Sequence, residues 1–299
     1  MKTESSWNSS SSANRPDATS KSLETRIFQF TGEVVENRLV SSSTHRIDLS
    51  IPHRDSLRVK PGEFFMIRTG PFLDPLLRRP FSVHSMGRLG ARVERLSILF
   101  RVVGQGTQLM ATWRKGQPVD MVGPLGRGYR IPEDLGTVAM VAGGLGIASL
   151  FGLAQSILQR KKGADVRICI GGNSKTDILM KPELESMGAK VNVTTEDGSI
   201  GMRGVATDWL EAESLQLASE RDTVVYACGP LGMLAKVNTV TERFSIPCQV
   251  SLEARMACGV GSCLGCAVKA RDQGYHMVCK DGPVFDADEI DWERTKRLI

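Results

Sequence analysis

Residues 137–148 read TVAMVAGGLGIA, and this stretch decides the fold. An unbroken apolar run is the mark of a strand covered on both faces, as in a parallel sheet. Gly143, Gly144 and Gly146 then lead into IASLFGLAQSILQRKKG (147–163), an amphipathic helix that ends in a basic turn and Gly163. Downstream the pattern repeats. DVRICIGG (165–172), KVNVTTEDG (190–198) and TVVYACGP (223–230) read as strands, while LMKPELESMGAK (179–190), VATDWLEAESLQ (205–216) and LGMLAKVNTVTERF (231–244) read as helices. Alternation of this kind predicts a Rossmann-like α/β domain, a parallel sheet with helices on both faces, over residues 133–247.

Upstream the rhythm changes. RIFQFTGEVVENRLV (26–40), HRIDLSI (45–51), EFFMIRTG (63–70), FSVHS (81–85), RLSILFRVVG (95–104) and QPVDMVGPLG (117–126) are short alternating runs broken by Gly and Pro. They predict an antiparallel β-barrel over residues 26–132. GTQLMATWRKG (106–116) is a helical insert with Thr107 as its cap. Residues 1–25 are rich in Ser, Asn and Thr and lack an apolar core, so they are expected to be a disordered extension rather than a secretory signal.

Residues 248–299 form a third zone. It holds MACGVGSCLGCAVKARDQGYHMVC (256–279), in which Cys258, Cys263, Cys266 and Cys279 have the spacing C-x4-C-x2-C and then a distant Cys. Thiolates in this spacing hold a plant-type [2Fe-2S] cluster. A four-cysteine zinc ribbon is the competing reading, but it uses two C-x2-C knuckles and only residues 263–266 supply one. For the fourth ligand Cys279 is expected, with Cys248 read as a buried thiol at the entry to a strand. A colourless protein held together by zinc, acting only as an interaction module, is the alternative from another class.

Five further features suggest nucleotide binding. The Gly143-Gly144-Leu145-Gly146 turn opens a helix whose N-terminus favours a phosphate. Cys228-Gly229-Pro230 and Glu196-Asp197 stand at the carboxyl ends of strands, where such sheets bind ligands. The acidic pair would repel a 2′-phosphate, which favours NAD over NADP. In the barrel, Arg79-Pro80-Phe81-Ser82 offers a cation and a hydroxyl to a dinucleotide, and Leu99-Phe100-Arg101 runs into Gly104-Gln105-Gly106-Thr107, a second anion-binding helix start.

Composition narrows the function classes. Hydrophobic residues are 41%, charged residues 24% and the formal net charge is +5. The basic residues are scattered, so no nucleic-acid footprint is expected. No apolar run reaches the ~18 residues of a membrane span. Seven cysteines without a disulfide framework point to a reducing, cytoplasmic setting.

The RPFS segment resembles the flavin motif of the ferredoxin–NADP reductase superfamily. The order of barrel, pyridine-nucleotide domain and MACGVGSCLGCAVK…VCKDGPVF resembles the electron-transfer subunits of class 1B dihydroorotate dehydrogenase over roughly residues 27–290. This resemblance implies FAD contacts at Arg79, Pro80, Phe81, Ser82, Leu99, Phe100, Arg101, Gly106 and Thr107. It implies cluster ligation by Cys258, Cys263, Cys266 and Cys279, and a nicotinamide site lined by Gly143, Gly144, Gly146, Cys228, Gly229 and Pro230. One departure is Gly171-Gly172-Asn173-Ser174, which stands where many relatives carry an Arg. The resemblance further implies an FMN-containing dihydroorotate dehydrogenase catalytic subunit as partner in a heterotetramer, with electrons passing from its FMN through [2Fe-2S] and FAD to NAD in pyrimidine biosynthesis. No room remains in the chain for the (β/α)8 barrel of about 250 residues that oxidation of dihydroorotate would need. Met256, Val260 and Leu264 are the expected docking residues. A related ferredoxin–NAD(P) reductase or sulfide dehydrogenase subunit is the nearer alternative, although such relatives can replace one cluster cysteine by Asp.

Overall fold

The computed structural model describes residues 27–53, 57–70, 74–90, 93–161 and 163–298. The expected N-terminal extension lies outside them. Seven strands build the first layer: β1 (Phe28–Leu39), β2 (Thr44–Pro52), β3 (Phe64–Ile67), β4 (Arg79–Ser82), β5 (Ser85–Gly90), β6 (Val93–Arg101) and β7 (Pro118–Leu125). They pair in the order β4-β3-β7-β1-β2-β6-β5, each neighbour antiparallel. Alternate residues of β1, among them Phe30 and Val34, are buried, and they join Ile47, Leu49, Phe65, Ile98 and Met121 in one core. The edge strands β4 and β5 are separated in the chain by Val83 and His84 alone. That link draws the two edges together and curls the sheet. No ladder joins β4 to β5 among the described residues, so the barrel expected from the sequence is an open half-barrel.

α1 (Gln105–Ala111) follows β6 and corrects one local expectation. Gly104 is the N-cap and Thr107 lies three residues inside the helix. Its hydroxyl reaches back, accepting from the N–H groups of Val103 at 2.9 Å and Gly104 at 3.1 Å. Thr107 therefore steadies the turn from the helix side instead of capping it.

The second layer contains β8 (Thr137–Gly143), α2 (Ile147–Arg160), β9 (Asp165–Gly172), α3 (Lys181–Ser186), β10 (Lys190–Thr195), β11 (Met202–Arg203), α4 (Ala206–Ser219), β12 (Thr223–Cys228), α5 (Leu231–Arg243) and β13 (Cys248–Ser251). The hairpin of β14 (Ala267–Lys269) and β15 (Tyr275–Met277), then β16 (Val284–Asp286) and α6 (Trp292–Thr295), complete the chain. The sheet order is β11-β10-β9-β8-β12-β13-β16, parallel except for the last pair. The apolar run in β8 now has its physical reason. Ala139 and Val141 pack with Leu210, Leu234 and Val237 of α4 and α5 on one face. Val138, Met140 and Ala142 pack with Leu150, Ile157 and Leu184 of α2 and α3 on the other.

The layers meet where the β4–β5 corner docks on α2. The buried His84 ring places Nδ1 3.2 Å from the Ala148 carbonyl and stacks on Phe151 with centroids 4.4 Å apart. Burial pushes its pKa down to about 4, so the ring is neutral and its Nδ1–H donates. A Cβ on Gly152 would come within 2.9 Å of the His84 carbonyl oxygen, so glycine is what allows the close approach.

Candidate functional site

The parallel order places a topological switch point between β8 and β12, the position at which open α/β sheets bind ligands. The turn after β8 and the turn after β12 flank it. A Cβ on Gly146 would overlap the Cys228 carbonyl, so only glycine lets the start of α2 lie against the end of β12. α2 and α5 have 14 and 13 residues and carry no acidic side chain in their first turns. Their positive ends are left free for an anion.

Two adjoining cavities occupy this junction. The first, of about 550 Å³, lies between β4, β6 and α1 on one side and α2 and β12 on the other. All nine residues expected to touch FAD line it: Arg79, Pro80, Phe81 and Ser82 from β4, Leu99, Phe100 and Arg101 from β6, and Gly106 and Thr107 from α1. Cys228 lines it from the opposite wall. Phe81 meets Phe100 edge-on at 6.1 Å, and Phe100 stacks on His45 at 5.5 Å. Neighbouring arginines are divided between tasks. Arg78 pairs with Asp120 at 2.5 Å, alongside Arg68 at 3.1 Å, whereas Arg79 faces the cavity and donates to the Leu77 carbonyl at 2.7 Å.

The second cavity, of about 260 Å³, is lined by Gly143, Gly144, Gly146, Gly229 and Pro230. Thus the expected nicotinamide residues gather beside the switch point, with Cys228 in the wall of the larger space. Burial pushes the Cys228 thiol up to about 12, so it is protonated at neutral pH. Arg101, Leu145, Leu252 and Glu253 line both cavities. Arg101 is held by Asp177 at 3.1 Å, and its Nε is buried without a partner. Asp177 also accepts from the Asn173 and Ser174 N–H groups at 3.1 and 3.3 Å. The half-barrel therefore supplies a cation beside the loop that carries Asn173 and Ser174. A dinucleotide phosphate fits both the orphaned Nε and the free helix ends.

Glu253 was missed by the sequence reading. A signal was available: β13 is the next parallel strand after β12, and Glu253 follows its carboxyl end. Glu196 and Asp197 lie in the exposed turn after β10, where the Asp197 carboxylate accepts from the Ser199 N–H at 2.9 Å.

On the far side of β3 the cysteine loop packs against Phe64 and Met66, in one core with Cys266 and Cys279. Phe64 and Met256 also line the larger cavity. Among the described residues, no three His, Cys, Asp or Glu side chains converge as one metal ion requires. The thiols lie as two neighbouring sets instead, Cys258 beside Cys263 and Cys279 beside Cys266, with Cys258 also within electrostatic reach of Cys279. Backbone N–H groups point at sulfur: Val260 and Cys263 at Cys258 Sγ, each 3.4 Å, Gly261 at Cys279 Sγ, 3.0 Å, and Cys279 at Cys266 Sγ, 3.4 Å. Around Cys258 burial acts upward but the N–H groups outweigh it, bringing the thiol down to about 6. Burial and the Cys266 sulfur push Cys279 up to about 12. Two sulfur pairs ringed by N–H donors fit a binuclear iron–sulfur core better than a mononuclear zinc. Cys248 lies in β13, opposite Val225, where burial pushes its thiol up to about 12.

Comparison with known proteins agrees with this division of the chain. Residues 31–129 match an oxidoreductase FAD-binding domain, residues 140–239 an oxidoreductase NAD-binding domain, and residues 253–291 the iron–sulfur cluster binding domain of dihydroorotate dehydrogenase B. The chain is 36% identical to the dihydroorotate dehydrogenase B (NAD+) electron transfer subunit of Desulforamulus reducens, over 88% of this chain and 98% of that one. It is 37% identical to that of Geobacillus kaustophilus, over 86% and 96%. The chain belongs to the dihydroorotate dehydrogenase B electron transfer subunit family. Like the family domains it matches, it binds FAD, NAD and an iron–sulfur cluster. Among solved structures it is similar to a chain of the NADH-dependent reduced ferredoxin–NADP oxidoreductase studied for flavin-based electron bifurcation, with TM-score 0.75, 28% identity and coverage of 89% and 92%. The cytochrome b5 reductase domain of Ulva prolifera nitrate reductase shares the fold, with TM-score 0.59 at 18% identity, over 73% of this chain and 94% of that domain. No described helix of this family member is long and apolar enough to cross a membrane.

Proposed function

We propose that the chain is the electron-transfer subunit of an NAD-dependent dihydroorotate dehydrogenase, working in pyrimidine biosynthesis beside a separate FMN-containing catalytic subunit in a heterotetramer. The observation that carries this reading is the linear order of sites: cysteine loop, then Phe64 and Met256, then the larger cavity, then the glycine-lined cavity. A flavin exchanges electrons singly with an iron–sulfur centre and as hydride with NAD, which suits it to the middle position.

The residues of this chain do the holding and orienting. Cys258 and Cys263 form the outer ligand pair and Cys266 and Cys279 the inner pair of a [2Fe-2S] core. Arg79 and Arg101 hold the phosphates of FAD, Phe81 and Phe100 wall its ring, and Ser82 offers a hydroxyl to it. Gly143, Gly144 and Gly146, with Gly229 and Pro230, cradle the NAD pyrophosphate at the ends of α2 and α5. Cys228, neutral and buried, keeps water out of the contact between the two rings. Glu196 and Asp197 disfavour a 2′-phosphate and so favour NAD. Leu264 is 62% exposed and Val260 42% exposed; with Met256 they form the face on which the catalytic subunit docks. All seven cysteines are free, which supports a cytoplasmic setting.

Co-expression with a candidate FMN-containing dehydrogenase tests the proposal. The expected result is a stable complex that reduces NAD with dihydroorotate, while the isolated chain passes electrons from NADH to artificial acceptors only. Dihydroorotate turnover by the single pure chain overturns it, as does a colourless protein containing one zinc.

A further inference from the structure

Four residues line both cavities, and two of them are charged: Arg101 and Glu253. Their surroundings differ. The Arg101 cation is met by the Asp177 carboxylate at 3.1 Å. Glu253 has no ion pair or hydrogen bond among the described residues. Its side chain is exposed because it lines the cavities, yet the protein around it is dense enough for burial to raise its carboxyl pKa. Strand register fixes its place. Ser251 of β13 pairs with Cys228 of β12, so Glu253 follows two residues beyond the level of Cys228. It is close enough for its charge to help raise the Cys228 thiol. An unpartnered carboxylate in the wall shared by two cavities is available to a cationic group of a ligand that fills them.

Hydride exchange requires the nicotinamide and flavin rings to touch, and the boundary shared by the two cavities is where a ligand of one meets a ligand of the other. The nicotinamide ring is positively charged when oxidised and neutral when reduced. We propose that Glu253 reads the redox state of the nicotinamide, its carboxylate holding the cationic ring of NAD+ in preference to the neutral ring of NADH. This inference rests on the assignment of the two cavities to FAD and NAD made above. Arg101 does not take the place of a cationic ligand, because its guanidinium is engaged by Asp177 and, in the assignment above, by the FAD phosphates. The site then retains the electron acceptor and releases the product.

The test compares three ligands on the flavin- and cluster-loaded chain by calorimetry: NAD+, the redox-inert tetrahydro-NADH with its uncharged ring, and ADP-ribose, which lacks the ring. Glu253→Gln keeps the size and a hydrogen-bonding oxygen but removes the charge; Glu253→Ala removes both. The expected result is that both variants weaken NAD+ roughly tenfold, the scale of one charge–charge contact in a partly solvated site, and leave the other two ligands within about twofold. A wild-type preference for NAD+ that survives in Glu253→Gln overturns the proposal, because a hydrogen bond would then suffice. Equal weakening of all three ligands also overturns it, because the role is then structural. Wild-type protein that binds none of the three refutes the cavity assignment itself, and the proposal with it.

Discussion

Both ends of the electron path are glycine-rich loops, and they are built on opposite principles. The loop around Gly143, Gly144 and Gly146 is suspended between a fully buried strand and a 14-residue helix. Its shape is dictated by long elements on either side, and what it offers a ligand is backbone N–H at a helix end. The loop that carries Cys258, Cys263 and Cys266 contains no helix or strand, and the strands that follow it, β14 and β15, have three residues each. Its shape is set by N–H groups that aim at the sulfurs and by Gly259 and Gly261 with φ of 74° and 81°. The lesson concerns where rigidity comes from. The nucleotide loop is preorganised by its scaffold, while the cluster loop is organised by what its thiols hold.

The sharpest way to break this comparison is to remove one inner thiol. Cys266→Ser or Cys279→Ser should abolish dihydroorotate-dependent NAD reduction by about a hundredfold or more, since ligand loss exceeds the 10–100-fold cost of a lost outer-shell partner. NADH oxidation with an artificial acceptor should persist, and visible absorbance together with iron analysis should show the cluster gone. Loss of both activities alike would mean that the cluster loop also scaffolds the flavin cavity.

Next in size is Gly146→Ala. The added methyl must displace the end of β12 or the start of α2, at a cost of about 3 kcal/mol. Denaturant melts should show that loss, and NAD binding should fall with flavin and iron contents intact.

A smaller effect, of opposite sign for two readouts, is expected at Leu264. It stands with φ of 60° and is exposed, two costs that packing within the subunit does not repay. Leu264→Gly should stabilise the isolated subunit or leave it unchanged, within about 1 kcal/mol, the strain of a left-handed residue offset by glycine entropy. Affinity for the catalytic subunit should fall measurably by calorimetry. Unchanged affinity would remove Leu264 from the docking face.

The smallest effect is on the cluster-free chain. Cys258 is depressed from 9.0 to about 6, so its stabilisation is complete above the ordinary thiol value and is lost as pH falls through 6. Cys279 is raised to about 12, so its contribution is complete below that ordinary value and is lost as pH rises through 12. The loop is thus expected to be most stable near pH 9, with Cys258 the first thiol alkylated at pH 7. Mass spectrometry after brief iodoacetamide treatment checks this order.

Much of this architecture was legible in the chain, for identifiable reasons. β8 read clearly because both faces are covered, so nothing polar interrupts it. Short half-barrel strands read from alternation and turn residues. Thr107 misled because Ser and Thr at a helix start suit both the N-cap and the position three residues in, and only Gly104 in extended backbone decides between them. β11 and β16, two and three residues long, carry no period at all. The cysteine spacing was strong because ligand chemistry restricts residue type and order together. Glu253 passed unnoticed because its meaning depends on which strand lies beside β12, a tertiary fact.

One consequence of the sheet order concerns distance. The cysteine loop leaves the sheet at β13 and re-enters it at β16, and these two strands pair with each other, Ser251 opposite Val284. Both ends of the loop are therefore fastened to the sheet that carries Cys228. Electron tunnelling falls steeply with separation, and here the sheet serves as a ruler. Because a one-residue slip would turn every side chain to the wrong face, the loop can shift only in steps of two residues, roughly 6.6 Å. Register therefore fixes how far the cysteine loop stands from the end of β12.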